Sequence, residues 1–319
     1  MTINNLNSEP YFSVIIPVFN LENFIIDTLT SVVNQKTNYT YEVIIVDDGS
    51  TDNSLKLINE FSSNRDNFHI LVNNRSKGVS GARNTGILFA TGHWITFLDG
   101  DDLWLEGNIN KKLSLADNNN DIDLISSGYS SWYYEDNIYE SVRLRDNMKR
   151  FLSSMSEESG FFVINEPVKA LLDNPILIWT GSVVFKKCLL DKVNYFNESY
   201  KMGEDTDLWL RLANTANLFV YLNEDLVLYR ARKGSLTRRG VPGSIWAVKS
   251  LVTLYNSVEF SAYKSIIAPK LSYLFLKNSY HYRKNKEYKL AITMSLNSIR
   301  YNSFNFAAWK SVLSSLLFR

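Results

Sequence analysis

The sequence has one cysteine, three histidines and no apolar run that approaches the length of a membrane span. The single cysteine, Cys188, excludes a disulfide framework within the chain and is typical of a reducing compartment. Because His69, His93 and His281 are scattered, neither a Cys/His zinc site nor a histidine-centred triad is expected. The polar N-terminus has no apolar h-region, so no signal sequence is expected. We therefore expect a globular, cytoplasmic protein.

Two common nucleotide-binding motifs are also missing. No G-x-G-x-x-G follows the first apolar stretch, and no G-x-x-x-x-G-K-[ST] occurs anywhere in the chain. Both motifs hold phosphates through glycine-rich backbone at the start of a helix. A nucleotide bound by this chain would therefore be held in another way.

Negative charge is scarce at the C-terminal end. Residues 230–319 hold 16 of the 34 Lys and Arg, but only two of the 33 Asp and Glu. The apolar spacing over residues 236–319 indicates several helices. We expect this basic helical region to lie on an anionic membrane surface, to pack on the acidic sheet domain or to form a homodimer. Nucleic-acid binding is not expected, because the rest of the chain is acidic and carries no such motif.

Apolar stretches typical of buried strands alternate with helical patterns over the first hundred residues. The predicted strands are residues 11–18, 41–46, 68–72 and 94–98, and a predicted helix follows each of the first three. This alternation favours an α/β fold, in which a Rossmann-like sheet has helices on both faces. Ligands of such sheets bind beyond the carboxyl ends of the strands.

Polar side chains follow three of these predicted strands at the point where each strand ends. They are Asn20 and Glu22, then Asp47 and Asp48, then Asp99, Asp101 and Asp102. Three carboxylates within four residues repel one another, so a nearby cation is expected, and oxygen ligands suit Mg²⁺ or Mn²⁺. Taken alone, the last group is also compatible with an ordinary acidic turn.

Five blocks of the sequence resemble the family 2 glycosyltransferases, which are inverting enzymes with the GT-A fold. The blocks are residues 13–20, 42–52, 78–86, 97–102 and 203–211. The resemblance implies a GT-A domain with a mixed sheet over residues 1–235, followed by the helical region 236–319. Its nucleotide-binding part would cover about residues 11–102 and its acceptor part about residues 103–235.

The resemblance also implies the residues that bind a nucleotide-sugar donor. They are Pro17, Val18, Phe19, Asn20, Glu22, Asp48, Lys77, Arg83, Asp99, Gly100, Arg230 and Arg232. Asp48 would accept from the base and Asp99 would approach the ribose. Asp101 would bind the Mn²⁺ or Mg²⁺ that bridges the phosphates, whereas Asp102 would be mainly structural. For Arg83 the alternative role is a salt bridge to one of these acids.

One segment departs from the family pattern. Residues 229–235 read Tyr-Arg-Ala-Arg-Lys-Gly-Ser, and Arg232 stands where the family often has a histidine that reaches the metal. A guanidinium has no acceptor atom and so cannot ligate a metal. It can bind phosphate directly. We therefore expect Arg230, Arg232 or Lys233 to neutralise part of the pyrophosphate charge.

Catalysis and acceptor binding are placed further along the chain. By resemblance, Asp205 would be the base that removes the proton of the acceptor hydroxyl. A capped helix start is a second role for the same block. Trp179, Thr180 and Glu204 are the predicted acceptor contacts. Residues 178–185 are predicted to be a strand, and residues 136–160 a mobile loop over the acceptor.

The predicted function is metal-dependent, inverting transfer of one sugar from a nucleotide-diphosphate sugar, most simply a UDP-sugar. The acceptor would be a glycan or a lipid-linked saccharide in cell-surface polysaccharide synthesis, at the inner face of the membrane. The first alternative is a non-catalytic nucleotide-sugar-binding or scaffold protein of the same fold. A nucleotidyltransferase is the second. A processive synthase is not expected, because no Gln-x-x-Arg-Trp element follows Asp205.

Overall fold

The computed structural model describes residues 9–232 and 243–317. The chain forms two compact units. The first comprises Met1–Glu198 and Leu208–Arg232, and the second comprises Ser199–Asp207 and Lys233–Arg319. The predicted boundary at residues 235 and 236, like Lys233, lies outside the described residues and stays a prediction.

The first unit is built on an 11-stranded sheet. Its strands are β1 (Phe12–Val18), β2 (Tyr41–Asp47), β3 (Phe68–Val72), β4 (Trp94–Phe97), β5 (Leu103–Trp104), β6 (Ile122–Tyr133), β7 (Ile138–Ser141), β8 (Glu157–Glu158), β9 (Phe161–Val163), β10 (Val184–Lys186) and β11 (Leu218–Ala231). Their spatial order is β3-β2-β1-β4-β10-β6-β11-β9-β8, with β5 beside β11 and β7 beside β6. The first four strands are parallel, whereas β10 runs antiparallel to both β4 and β6. The sheet is therefore mixed, as predicted.

The helices of this part of the chain connect the strands. They are α1 (Ile25–Val33), α2 (Ser54–Ser62), α3 (Val79–Phe89), α4 (Asn108–Asn118), α5 (Asp146–Ser153), α6 (Pro167–Asp173), α7 (Leu190–Val193) and α8 (Glu204–Thr215). The first turn of α8 belongs to the second unit and the rest of that helix to the first. The first four strands lie within one or two residues of their predicted bounds.

The apolar, β-branched sequence of β1 explains its place in the middle of the sheet, where all seven of its residues are buried. Pro17, which has no backbone N–H, is tolerated because the pairing of β1 with β4 ends at Ile15. Helix α3 packs closely on this strand through Gly86. A Cβ atom there would lie 2.5 Å from the Cγ2 atom of Ile15. The packing therefore requires a glycine at this position.

Two predictions about local structure were wrong. Residues 178–185 are not one strand, because Thr180–Ser182 form a 3-10 turn before β10. In that turn, the backbone N–H of Ser182 donates to the Trp179 carbonyl at 2.8 Å. Residues 136–160 are not a loop throughout either, because they contain β7, α5 and β8, whereas their mobility over an acceptor stays a prediction. Polar composition hid these short elements, because β7 and β8 pair with neighbouring strands without a clear apolar alternation.

The second unit is helical, as predicted from its apolar spacing. Its main helices are α9 (Gly243–Asn256), α10 (Lys264–Lys284), α11 (Tyr288–Tyr301) and α12 (Phe306–Leu317). Ile267, Leu271 and Phe275 of α10 are buried, and the Phe275 ring stacks on Tyr301 with centroids 5.7 Å apart. No helix among the described residues combines the length and the apolar character needed to cross a bilayer.

Candidate functional site

The carboxyl ends of β1 and β4 come into close contact at Gly100. A Cβ atom at this position would lie 2.7 Å from Leu21 Cδ1 and 3.1 Å from the carbonyl oxygen of Pro17. The turn after β4 is also tied to α1, since the hydroxyl of Thr28 donates to the carbonyls of Gly100 and Asp102 at 3.0 and 2.8 Å. The structure therefore brings the predicted donor segment 17–22 against the carboxylate cluster of residues 99–102.

Asn20 and Glu22 connect the loop after β1 to the loop after β2. Asn20 has a left-handed backbone (φ 53°), and its side-chain oxygen accepts from the backbone N–H of Thr51 at 2.8 Å. Glu22 accepts from the backbone and side-chain nitrogens of Asn53 at 2.9 and 2.8 Å. Both side chains thus hold the loops after β1 and β2 together. Their predicted contacts with a donor stay predictions.

Asp47 and Asp48 end β2 and have different roles. The buried Asp47 accepts from the backbone N–H groups of Gly49 and Ser50, and so stabilises the turn. The half-buried Asp48 accepts from Asn73 Nδ2 at 2.5 Å and from the backbone N–H of Gly78 at 2.8 Å. A carboxylate has about four acceptor positions, so Asp48 retains capacity for a base N–H.

Phe19 and Lys77 lie side by side on the exposed rim. The Lys77 Nζ atom is 5.0 Å from the centroid of the Phe19 ring, a cation–π distance. The Phe19 side chain is 45% exposed. The structure therefore presents an exposed aromatic ring next to an exposed cation, and both were predicted to contact the donor.

Arg83 on α3 forms a salt bridge with Asp99, the alternative considered from the sequence. Its Nη2 atom lies 2.6 Å from Asp99 Oδ1, and the arginine side chain is only 4% exposed. The guanidinium also lies over the ring of Phe196 at 5.2 Å. In this arrangement Arg83 neutralises one of the clustered carboxylates and fixes its orientation.

Arg232 forms a salt bridge with Asp101, the residue predicted to bind metal. Its Nη2 and Nε atoms lie 2.8 and 3.0 Å from the same Asp101 oxygen, Oδ2. Both side chains are about one-fifth exposed. The arginine that replaces the expected histidine therefore supplies a positive charge directly to this carboxylate.

Asp102 is completely enclosed and links three parts of the chain. Its two oxygens accept from Trp179 Nε1 at 3.0 Å and from the backbone N–H of Arg230 at 2.9 Å. Trp179 stacks on Tyr129 with ring centroids 5.0 Å apart. Asp102 is thus structural, as predicted, and Trp179 contributes to this buried core as well as being a predicted acceptor contact.

The Arg230 side chain is buried, unlike that of Arg232. Its Nε atom donates to the backbone carbonyl of Asp101 at 2.9 Å, and its guanidinium lies 4.6 Å from the Trp132 ring. Its Nη2 atom donates to Asp27 at 3.2 Å. Donor binding by Arg230 stays a prediction, and its burial makes Arg232 the better placed of the two for a phosphate.

Burial raises the pKa values of the two central carboxyls. For Asp101, burial and then the charge of Asp99 raise the pKa, and Arg232 opposes this shift. Burial, followed by the charges of Asp101 and Asp99, raises the pKa of Asp102 well above its usual range. The cluster therefore requires cations or hydrogen-bond donors to stay charged.

Sequence reasoning missed Glu198, which joins three segments near the start of α3. Its carboxylate accepts from Arg75 Nε, from the backbone N–H of Ser76 at 3.2 Å and from Asn84 Nδ2 at 2.8 Å. Burial opposes the change, but these donors lower the pKa of Glu198 to about 2. No motif marks Glu198, because its partners are more than one hundred residues away in the chain.

The residues predicted to act on the acceptor belong to different parts of the fold. Thr180 is buried in the 3-10 turn of the first unit. Glu204 and Asp205 start α8 in the second unit, where Glu204 is buried and Asp205 is partly exposed. Asp205 accepts from the backbone N–H of Thr206 at 2.6 Å. Their roles in acceptor binding and catalysis stay predictions.

The carboxylates of this cluster do not form a metal site as they stand. Asp99 is paired with Arg83, Asp101 with Arg232, and Asp102 is enclosed. Throughout residues 9–232 and 243–317, no three His, Cys, Asp or Glu side chains are grouped suitably for a metal ion. Both Arg232 contacts use Oδ2 of Asp101, so a metal ion at Asp101 would share this carboxylate with a positive charge.

Comparison with known proteins identifies the family. Residues 13–171 match the family described as Glycosyl transferase family 2. The chain is 30% identical over 206 residues to the Escherichia coli UDP-Glc:alpha-D-GlcNAc-diphosphoundecaprenol beta-1,3-glucosyltransferase WfgD, covering 65% of this chain and 71% of that protein. The chain belongs to glycosyl transferase family 2. The resemblance described from the five sequence blocks is thereby confirmed.

The chain spans less than half the length of some of the relatives that it matches. It is 28% identical over 280 residues to the glycosyltransferase GlyA of Streptococcus pneumoniae serotype 4, covering 88% of this chain but 38% of GlyA. Crystalline S. aureus TarS 1-349 in complex with UDP-GlcNAc has the same fold, with a TM-score of 0.66 and 19% identity, over 95% of this chain and 88% of that one. The predicted GT-A fold is therefore confirmed for this family 2 chain.

Proposed function

We propose that this chain transfers one sugar from a nucleotide-diphosphate sugar to a hydroxyl of a saccharide acceptor, with inversion at the anomeric carbon. The observation that carries the proposal is that Asp48 follows β2 while Asp99 and Asp101 follow β4, two strands that flank β1 and run parallel to it, in a chain of glycosyl transferase family 2. Ligands of open α/β sheets bind at this edge.

The donor is proposed to be a UDP-sugar. The names of WfgD and of the TarS complex contain UDP-Glc and UDP-GlcNAc, which supports a UDP-sugar here. Asp48 would accept a hydrogen bond from the base, and Phe19 offers an exposed ring beside it for stacking. Asp99, fixed by Arg83, would accept from the ribose hydroxyls. Lys77, which is exposed, and Arg232, which is partly exposed, would bind the diphosphate.

The reaction is an in-line displacement. The acceptor oxygen forms a bond to the anomeric carbon while the bond from that carbon to the diphosphate oxygen breaks, and the electron pair leaves with the nucleoside diphosphate. Asp205 would take the proton of the acceptor hydroxyl. Trp179, Thr180 and Glu204 would contact the acceptor, for which a lipid-linked saccharide of cell-surface polysaccharide synthesis is proposed. The name of WfgD, which includes a diphosphoundecaprenol acceptor, supports this class.

The metal dependence expected of the family is a separate part of the proposal. Asp101 is the residue of the cluster that would hold Mn²⁺ or Mg²⁺, and the positive charge of Arg232 at its Oδ2 atom would weaken the binding of a divalent ion there. The divalent ion would supply charge neutralisation of the diphosphate. No step above depends on it, because Arg232 and Lys77 bring positive charge to the same edge.

Release of UDP from UDP-sugars, with and without acceptor saccharides, tests the transfer reaction. Asp205→Asn should reduce turnover by at least a thousandfold with little change in UDP affinity, since the base acts on the acceptor. Asp48→Asn should instead weaken UDP binding. Asp191→Asn, an exposed carboxylate on α7, is the matched control and should retain full turnover.

UDP binding without turnover in the wild-type chain, for every sugar and acceptor tried, would contradict the transfer reaction and favour the scaffold alternative. Wild-type turnover that survives Asp205→Asn would leave the reaction in place but remove Asp205 as its base.

A further inference from the structure

Helix α12 exposes its large apolar side chains and buries small ones, which is the reverse of an ordinary surface helix. Its large apolar side chains, which are 47 to 83% exposed, are Phe306, Trp309, Leu313, Leu316 and Leu317. This spacing places all five on one side of the helix, which we call the α12 face. The buried side chains of the same helix are small: Ala308, Ser311 and Ser315.

Serine hydroxyls join α12 to its neighbours on the inner side. The Oγ atom of Ser279 on α10 lies 2.7 Å from that of Ser295 on α11 and 2.8 Å from that of Ser311 on α12. A second contact joins Ser272 and Ser298 at 3.0 Å. Small hydroxyl residues at helix contacts are typical where the outer surroundings of a bundle are apolar. The core therefore does not require the large residues of the α12 face.

Five large apolar side chains exposed on one side of a helix are typical of a docking surface. The charge around it favours one class of partner. Residues 243–317 carry ten Lys and Arg but only two acidic residues, Glu259 and Glu287. Lys310 lies on the α12 face itself, and Lys289 and Arg300 are exposed on α11. A second copy would bring the same positive charge, whereas an anionic surface would be attracted.

We propose that the α12 face docks on an anionic lipid bilayer, with the helix lying in the plane of the interface. Phe, Trp and Leu would enter the acyl boundary, and Lys310 and its basic neighbours would contact lipid phosphates. At about 1.5 Å per residue, a 12-residue helix is far too short to span the bilayer. This binding is independent of the proposed transfer reaction and needs neither donor nor acceptor.

Flotation of the full chain with lipid vesicles tests the surface. Vesicles of phosphatidylcholine alone are compared with vesicles that also contain phosphatidylglycerol. We expect binding to the anionic vesicles that weakens with added salt, and a blue shift of fluorescence that Trp309→Phe removes. The double variant Leu313→Gln/Leu317→Gln should bind at least tenfold more weakly, because two exposed leucines no longer enter the lipid.

The matched control is Leu88→Gln, which changes a leucine that is 54% exposed on α3. It should bind vesicles like the wild type, and circular dichroism should show all variants folded. Failure of the wild type to float with anionic vesicles would overturn the proposal. So would a dimer in lipid-free buffer that Leu313→Gln/Leu317→Gln dissociates, because the α12 face would then be covered by a second copy.

Discussion

Arg232 and Asp101 are direct partners, with Nη2 and Nε of the arginine 2.8 and 3.0 Å from one carboxylate oxygen. They are 131 residues apart in the chain. The pair combines the residue predicted to bind a metal with the residue that departs from the family pattern. It makes the arginine a competitor of any divalent cation at Asp101.

Removing this competitor should strengthen metal binding. We expect Arg232→Gln to raise the affinity for Mn²⁺ by about tenfold, because a half-buried carboxylate loses its positive partner. Titration followed by electron paramagnetic resonance of free Mn²⁺ measures this without turnover. Asp101→Asn in the same background should abolish the gain, and Arg145→Gln, which removes an exposed partner of Glu140, should change nothing. Equal Mn²⁺ affinity in Arg232→Gln and wild type would contradict the competition.

The Arg83–Asp99 pair should contribute strongly to stability. Arg83 is 4% exposed, so Arg83→Met leaves Asp99 without its positive partner in a largely enclosed place. We expect a loss of about 3 kcal/mol in the free energy of unfolding, measured by urea denaturation. A double-mutant cycle with Asp99→Asn should show coupling above 1 kcal/mol. The exposed pair of Lys111 and Glu224 is the control, for which coupling should be below about 1 kcal/mol.

Gly100 should tolerate no side chain. Gly100→Ala places a Cβ atom 3.1 Å from the backbone carbonyl oxygen of Pro17 and 2.7 Å from Leu21 Cδ1, so the leucine must turn away and the end of β1 must shift. We expect a loss of about 1–3 kcal/mol in unfolding free energy and weaker UDP binding. Gly243→Ala is the matched control, since no atom lies within 4 Å of the added Cβ, and its stability should not fall. Wild-type stability and UDP affinity in Gly100→Ala would show that the two strand ends can separate freely.

The carboxylate of Glu198 should make the free energy of unfolding depend on pH in the acid range. Its pKa in the folded chain is lowered from 4.5 to about 2, so it stabilises the fold fully above about pH 4.5 and loses this effect as the pH falls through about 2. Glu198→Gln should therefore lower unfolding free energy by about 2 kcal/mol near neutral pH. The difference from wild type should shrink between pH 4.5 and pH 2.

Denaturant titrations at several pH values measure this difference. Glu106→Gln is the comparison, because Glu106 also has a lowered pKa but lies exposed beside Lys36, where solvent screens the pair. It should change stability little at any pH. A pH-independent loss in Glu198→Gln would mean that its hydrogen bonds, rather than its charge, stabilise the three segments.

The sequence by itself determined the first four strands, the helices between them and the polar residues at the strand ends. Their periodicity is local: buried strands are uniformly apolar, and helices have an apolar side. The C-terminal helices followed from the same spacing. The five blocks also placed Asp48, Asp99 and Asp101 at one edge, because parallel strands end together.

Only the tertiary structure decided which charges meet. Arg83 faces Asp99, Arg232 faces Asp101, and Glu198 is held by Asn84, each through pairings of distant segments. Long-range contacts leave no periodic signal in one sequence. For the same reason, the apolar residues of α12 were predicted to be helical, but the sequence could not tell that they face outward. The serines that pack inside belong to three different helices.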